Sequence, residues 1–148
     1  MTISFLNKED VLYGCFSNFS DHGFDLEGAW WPTTEHYFQA QKFAGTEHVE
    51  VIRQAPNPTE ATKLGRDRNR PLRSDWEAVK DAIMQRGTLA KFQTHEDIRK
   101  ILLDTGDAPI VEISPNEEYW GLGKDGNGKN RMGTILMSVR DELRRENS

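Results

Sequence analysis

The chain has 148 residues, and its 19 lysines and arginines against 24 aspartates and glutamates give a formal charge of −5. That length suits one domain, spanning residues 1–148, which can bury roughly two-thirds of its unfolded surface without a metal or disulfide staple. The acidic balance argues against a general duplex-DNA binder, whose affinity comes largely from cationic neutralisation of phosphates. Cys15 is the only cysteine, which excludes an intramolecular disulfide and argues against a cysteine-based zinc site. No signal-peptide pattern opens the sequence and no apolar run approaches a membrane span, so a soluble, cytoplasmic protein is expected.

In chain order, Ile3 to Leu6 reads as a short strand, and Phe24–Leu26 and Ala29–Trp31 flank Glu27-Gly28 as a hairpin. Pro32 and the threonines after it mark the start of a helix. Asn57-Pro58-Thr59-Glu60 supplies an N-cap, a proline at the first helical position and a capping glutamate. Ser74-Asp75-Trp76-Glu77 has the form of a capping box opening a helix to about Phe92, and Thr94 is placed to cap the next, which ends before Gly106. Ile110 to Ile113 is a second short strand. Met132, Ile135, Leu136, Val139 and Leu143 form the apolar stripe of a closing helix. The expected fold class is α+β, mostly helical with a small sheet.

Four segments hold more polar chemistry than packing requires. In Phe16-Ser17-Asn18-Phe19, Asn18 could meet a base or sugar edge, or merely close a turn between core aromatics. In the stretch from Trp31 to Phe43, Glu35, Gln39 and Lys42 fall at i, i+4 and i+7 and so share one helical face beside Phe38 and Phe43. Such a stripe needs a cleft or core partners, unless it is a solvent-facing edge. Four arginines fall between Gly65 and Arg73, either a phosphate-binding patch or a solvated charge run, with Trp76 close enough in sequence to stack on a base. Gly123 to Lys129 fits G-x-x-x-x-G-K, but Asn130 stands at the magnesium-binding hydroxyl position and no buried strand precedes the loop, so a P-loop is rejected. What remains is a glycine-rich loop feeding a helix N-terminus, an anion site or simply a mobile loop. The four histidines lack metal-ligand spacing, and no metal or other cofactor is expected.

Taken together, Phe16-Ser17-Asn18-Phe19, the string Glu35-His36-Tyr37-Phe38-Gln39-Ala40-Gln41-Lys42-Phe43, Gly65-Arg66, Arg73 with Asp75-Trp76, Lys91-Phe92, and Trp120-Gly121 leading to Gly128, Asn130 and Gly133 resemble the NADAR (YbiA-like) family over roughly residues 16–140. The resemblance implies an N-glycosidase that breaks the bond between ribose C1 and an exocyclic amine of a heterocycle. Its partners would be small ribosyl or ADP-ribosyl substrates: phosphoribosylamino-pyrimidine intermediates of riboflavin synthesis, or ADP-ribosylated guanine, including that carried on DNA or RNA. Glu35 and Lys42 are the expected catalytic pair. Ser17, Asn18, His36, Gln39, Arg66, Arg73, Trp76, Trp120, Gly121, Asp125 and Asn130 are the expected substrate contacts, with the arginines suited to phosphate and the tryptophans to stacking. A non-catalytic nucleotide reader would keep the arginines and tryptophans but has no use for the Glu35–Lys42 pair.

Overall fold

The computed structural model describes residues 1–147. Its elements are β1 (Ile3–Phe5), a 3₁₀ turn (Gly14–Phe16), β2 (Phe24–Leu26), β3 (Ala29–Trp31), α1 (Thr34–Gln41), α2 (His48–Arg53), α3 (Pro58–Gly65), α4 (Trp76–Thr94), α5 (Glu96–Asp104), β4 (Ile110–Glu112) and α6 (Arg131–Glu146). The fold is α+β. β2 and β3 pair antiparallel across Glu27-Gly28, both at positive φ as a tight hairpin turn requires. β1 pairs with β4 in parallel, with Ile3 opposite Ile110 and Phe5 opposite Glu112. No helix among the described residues is long and apolar enough to cross a membrane.

The start of α1 is fixed locally. Thr33 is extended, and its hydroxyl accepts from the His36 N–H at 3.1 Å, the capping bond that a Thr before a helix favours. Asn57 caps α3 in the same way, accepting from Glu60 N–H at 2.8 Å with Pro58 following it. All eight residues of α1 are buried. Tyr37 meets Trp31 edge-on at 5.2 Å and Phe24 at 6.2 Å, while Phe38 faces the other way, toward Trp76 and Trp120. The long α4 packs against α1, α5, α6 and β2, and Phe92 on it closes on Phe16 at 6.1 Å.

Two helix starts differ from the sequence expectation. The capping box at Ser74 does not form. α4 begins at Trp76, because the Asp75 carboxylate is taken by the Arg73 guanidinium at 2.6 and 3.1 Å and caps nothing. Thr94 is the last residue of α4 rather than the cap of α5, and its hydroxyl donates back to Ala90 O at 2.7 Å. α2 has no counterpart in the sequence reading. Its burial rests on Ile52 alone, too little to generate a periodic apolar signal.

Candidate active site

A cavity of about 520 Å³ opens between α1, α3, the start of α4 and the segment after β4, with residues 6–9 on its rim. Ser17, Asn18, Glu35, Gln39, Lys42, Arg66, Trp76 and Trp120 all line it, so three of the segments singled out in the sequence, together with Trp120 just ahead of the glycine-rich loop, converge on one hollow. Its apolar wall is Phe38, held between Trp76 at 5.0 Å and the edge-on Trp120 at 5.4 Å.

Glu35 is 8% exposed and sits in the first turn of α1, where the helix dipole favours its charge. Its backbone N–H donates to Asn18 O at 3.1 Å, which ties the Ser17–Phe19 loop to the helix start. Oε2 of the carboxylate accepts from Gln39 Nε2 at 2.8 Å and from the Thr62 hydroxyl at 2.6 Å. Oε1 meets no protein donor among the described residues. α3 presses against this network so closely that any Cβ at Gly65 would collide with the Gln39 amide.

Lys42 follows α1 directly, its Nζ donating to Gly65 O at 3.3 Å and lying 5.8 Å from the Trp76 ring. Burial pushes its pKa below the ordinary lysine value, helped by Arg66 and Lys80; Glu35 pulls the other way and does not prevail. The aromatic ring nearest the ammonium is therefore that of Trp76. Phe43, which the sequence placed beside it, packs on His48 at 5.8 Å.

Five expected contacts lie outside the cavity, each for a visible reason. His36 is 1% exposed. Its Nε2 donates to Ala55 O at 3.0 Å, and Nδ1 bonds Thr33 Oγ1 at 2.8 Å, so the ring serves the helix start. Burial holds it below the usual histidine pKa. Arg73 is paired with Asp75 and also donates to Gln41 O at 3.3 Å, while its backbone N–H bonds Lys42 O at 3.0 Å. It braces the end of α1. Asp125 lies on a separate surface depression with Leu122, Lys124 and Lys129. Asn130, at φ 51°, turns its amide onto β4, donating to Ile110 O at 3.0 Å and accepting from Glu112 N–H at 2.9 Å. Gly121 lies behind Glu112, against its carbonyl and carboxyl oxygens. The glycine-rich loop offers no ready anion cradle either, because the N–H groups of Asn130, Arg131 and Met132 donate to Gly121, Tyr119 and Trp120 carbonyls.

The structure also adds residues that the sequence reading passed over. Thr62 bonds Glu35, and Glu112, Glu117 and Lys80 line the same cavity. Arg66, with a side chain 67% exposed, stands at the mouth 3.9 Å from Glu117. Burial raises the Glu117 pKa, against the pull of Arg66. Alternation along Ile110–Glu112 would have placed Glu112 on the inward face with Ile110, whereas nothing in the sequence marks Thr62.

The NADAR domain family model matches residues 4–144. An N-glycosidase of Nostoc punctiforme is 50% identical over 135 residues, covering 89% of this chain and 86% of that protein. The N-glycosidase YbiA of Escherichia coli is 46% identical over 141 residues, covering 95% and 88%. Its NMR structure superposes with a TM-score of 0.91 over 99% of this chain and 87% of that one, at 45% identity. The chloroplastic riboflavin biosynthesis protein PYRR of Zea mays is 39% identical across 95% of this chain, which spans 25% of that longer protein.

Proposed function

From a chain that belongs to the NADAR domain family, we propose an N-glycosidase that hydrolyses the bond between ribose C1 and an exocyclic amine of a heterocycle, with a phosphoribosylamino-pyrimidine as substrate. The observation that carries this reading is the pairing of a hydrogen-bonded carboxylate, Glu35, with a desolvated amine, Lys42, in one cavity. A non-catalytic nucleotide reader has no need of that pair. The riboflavin-related name of the maize relative favours the pyrimidine intermediate over ADP-ribosyl-guanine. So does the presence of a single arginine, Arg66, among the cavity residues, which suits one phosphate better than the diphosphate of ADP-ribose.

Positive charge builds at C1 on the way to C–N cleavage, shared with the ring oxygen while the ring is closed and with nitrogen once it opens, and a fixed carboxylate stabilises that charge. Glu35 Oε1, which no protein donor among the described residues holds, is the oxygen left for this task. Attack needs Lys42 as the neutral amine, the form that its burial favours. The glycosylamine opens as C1–O4′ breaks, O4′ keeping that electron pair and taking a proton from water, which leaves an iminium at C1. Lys42 Nζ adds to that carbon and loses a proton. The heterocycle then gains a proton, and its exocyclic nitrogen departs with the C–N electron pair, leaving C1 joined to Lys42 as a Schiff base. Water adds, the lysine is released, and the sugar recloses.

Incubating the protein with phosphoribosylamino-pyrimidine and, separately, with ADP-ribosylated guanosine tests the substrate, with free heterocycle as the readout. Release from neither removes the glycosidase reading, and release from the guanosine alone reverses the choice. Borohydride added during turnover should leave a reduced ribosyl adduct on Lys42 by peptide mapping. Consumption of substrate without that adduct excludes the covalent route.

A further inference from the structure

Glu112 is a second cavity carboxyl, and it is held very differently from Glu35. It ends β4, is 8% exposed, and meets no hydrogen-bond donor through its side chain among the described residues. Its backbone, by contrast, is clamped on both sides. The N–H donates to the Asn130 side chain at 2.9 Å, and the carbonyl accepts from Leu122 N–H at 2.8 Å. Gly121 leaves the space that the carboxyl leans on, since a Cβ there would stand 3.0 Å from Glu112 Oε2 and 2.8 Å from its carbonyl oxygen. The segment Trp120–Asn130 thus acts as a bracket presenting one carboxyl to the cavity.

We propose that Glu112 acts as a neutral carboxylic acid that pairs with the amino-substituted edge of the heterocycle and protonates its ring nitrogen as the C1–N bond breaks. This rests on the glycosidase reading above for the proton-transfer step, though not for the pairing. A carboxylic acid donates O–H to a ring nitrogen and accepts N–H from the adjacent exocyclic amine, a two-point match to a 2-aminopyrimidine edge. Whichever group receives C1, the leaving nitrogen takes the C–N electron pair. The Glu112 proton on the ring nitrogen lets the base leave as a neutral imino tautomer, which then becomes the amine. The Glu112 carboxylate recovers its proton from the water that hydrolyses the sugar. Two carboxyls held differently in one site can divide electrostatic and acid roles in this way. Burial, then the charges of Glu117 and Glu35, push the Glu112 carboxyl up to about 7. Arg66, Lys42, Lys80, Lys8 and Glu9 are the other charged groups lining the cavity.

The test uses 2-aminopyrimidine, which carries the aminopyrimidine edge without a sugar and has only acceptor ring nitrogens, titrated from about pH 5.5 to 8.5, either side of the Glu112 value. The protein should bind it at least about tenfold more weakly at the top of that range than at the bottom, because the acid donor is lost as pH rises through about 7. Glu112→Gln should bind it with no pH dependence and, with ribosylated substrate, turn over about a hundredfold more slowly. A pH-independent affinity in the unsubstituted protein, which needs no variant to fold, overturns the proposal. So does a Glu112→Gln protein that keeps the alkaline loss, which would assign the titration to Glu117 or Lys42. An unsubstituted protein that binds 2-aminopyrimidine in this manner but cleaves no ribosyl substrate defeats the glycosidase reading and leaves the pairing by Glu112 standing.

Discussion

Replacing Lys91 with Met should stabilise the protein at neutral pH and lose that advantage in alkali. Lys91 is 1% exposed, lies 5.3 Å from the Phe92 ring and donates to Ser17 O at 2.9 Å. Burial presses its pKa from the ordinary 10.5 down to about 7, with Cys15 opposing the shift. At about 1.4 kcal/mol per unit, holding that amine inside the fold costs roughly 5 kcal/mol at pH 7. Because the folded pKa is the lower one, stability from the neutral amine is complete above pH 10.5 and is lost as pH falls through about 7. Met fills a similar volume and removes the ionisation, but leaves the Ser17 carbonyl without its donor, a loss of about 1–3 kcal/mol. The balance is a gain of about 2–4 kcal/mol for Lys91→Met at pH 7, or roughly 4–16 °C in Tm for a chain of this size, turning to a net loss above about pH 10. Urea unfolding of both proteins at matched pH values measures the difference and cancels the titration of every shared group. A difference between the two that stays constant from neutral to alkaline pH would refute the reasoning, since the amine would then titrate alike folded and unfolded.

Two further outcomes follow from the cavity. Glu35→Gln should lower turnover by at least about a hundredfold while leaving product affinity nearly unchanged, measured by steady-state kinetics beside calorimetric product binding; near-normal turnover with weakened binding would make Glu35 a ligand contact only. Arg66→Ala should weaken a phosphorylated ligand by roughly ten- to a hundredfold, about 1.5–3 kcal/mol, relative to its dephosphorylated form, whereas Arg73→Ala should leave that ratio unchanged because its guanidinium is engaged by Asp75; equal losses for both ligands in Arg66→Ala would make Arg66 structural.

What the sequence disclosed was what local rules control. The hairpin around Glu27-Gly28, the Thr33 and Asn57 caps, the final helix and the shared face of Glu35, Gln39 and Lys42 all depend on spacing within a few residues. The errors at Ser74 and Thr94 arose where a side chain had two local partners. Asp75 took the nearer cation, and Thr94 bonded back into its own helix. The Arg73 and Asn130 placements needed tertiary knowledge. Arg73 reaches Gln41, and Asn130 reaches Ile110, partners no periodicity connects. Thr62 was invisible for the same reason, since its bond to Glu35 spans 27 positions.

The parallel pairing of β1 with β4 joins residues roughly a hundred positions apart through two three-residue strands. Closing a loop of that length costs about 4 kcal/mol of chain entropy, more than so short a ladder returns before the helices between are docked. The contacts among α1, α2 and α3 are far more local and form without waiting for it. The two walls of the cavity therefore depend on contacts of very different reach. The wall bearing Glu35, Thr62 and Lys42 rests on local packing, and the wall bearing Glu112 rests on the meeting of distant strands. Any state in which β1 and β4 have not met lacks a placed Glu112, so the complete site is its own signature of finished folding.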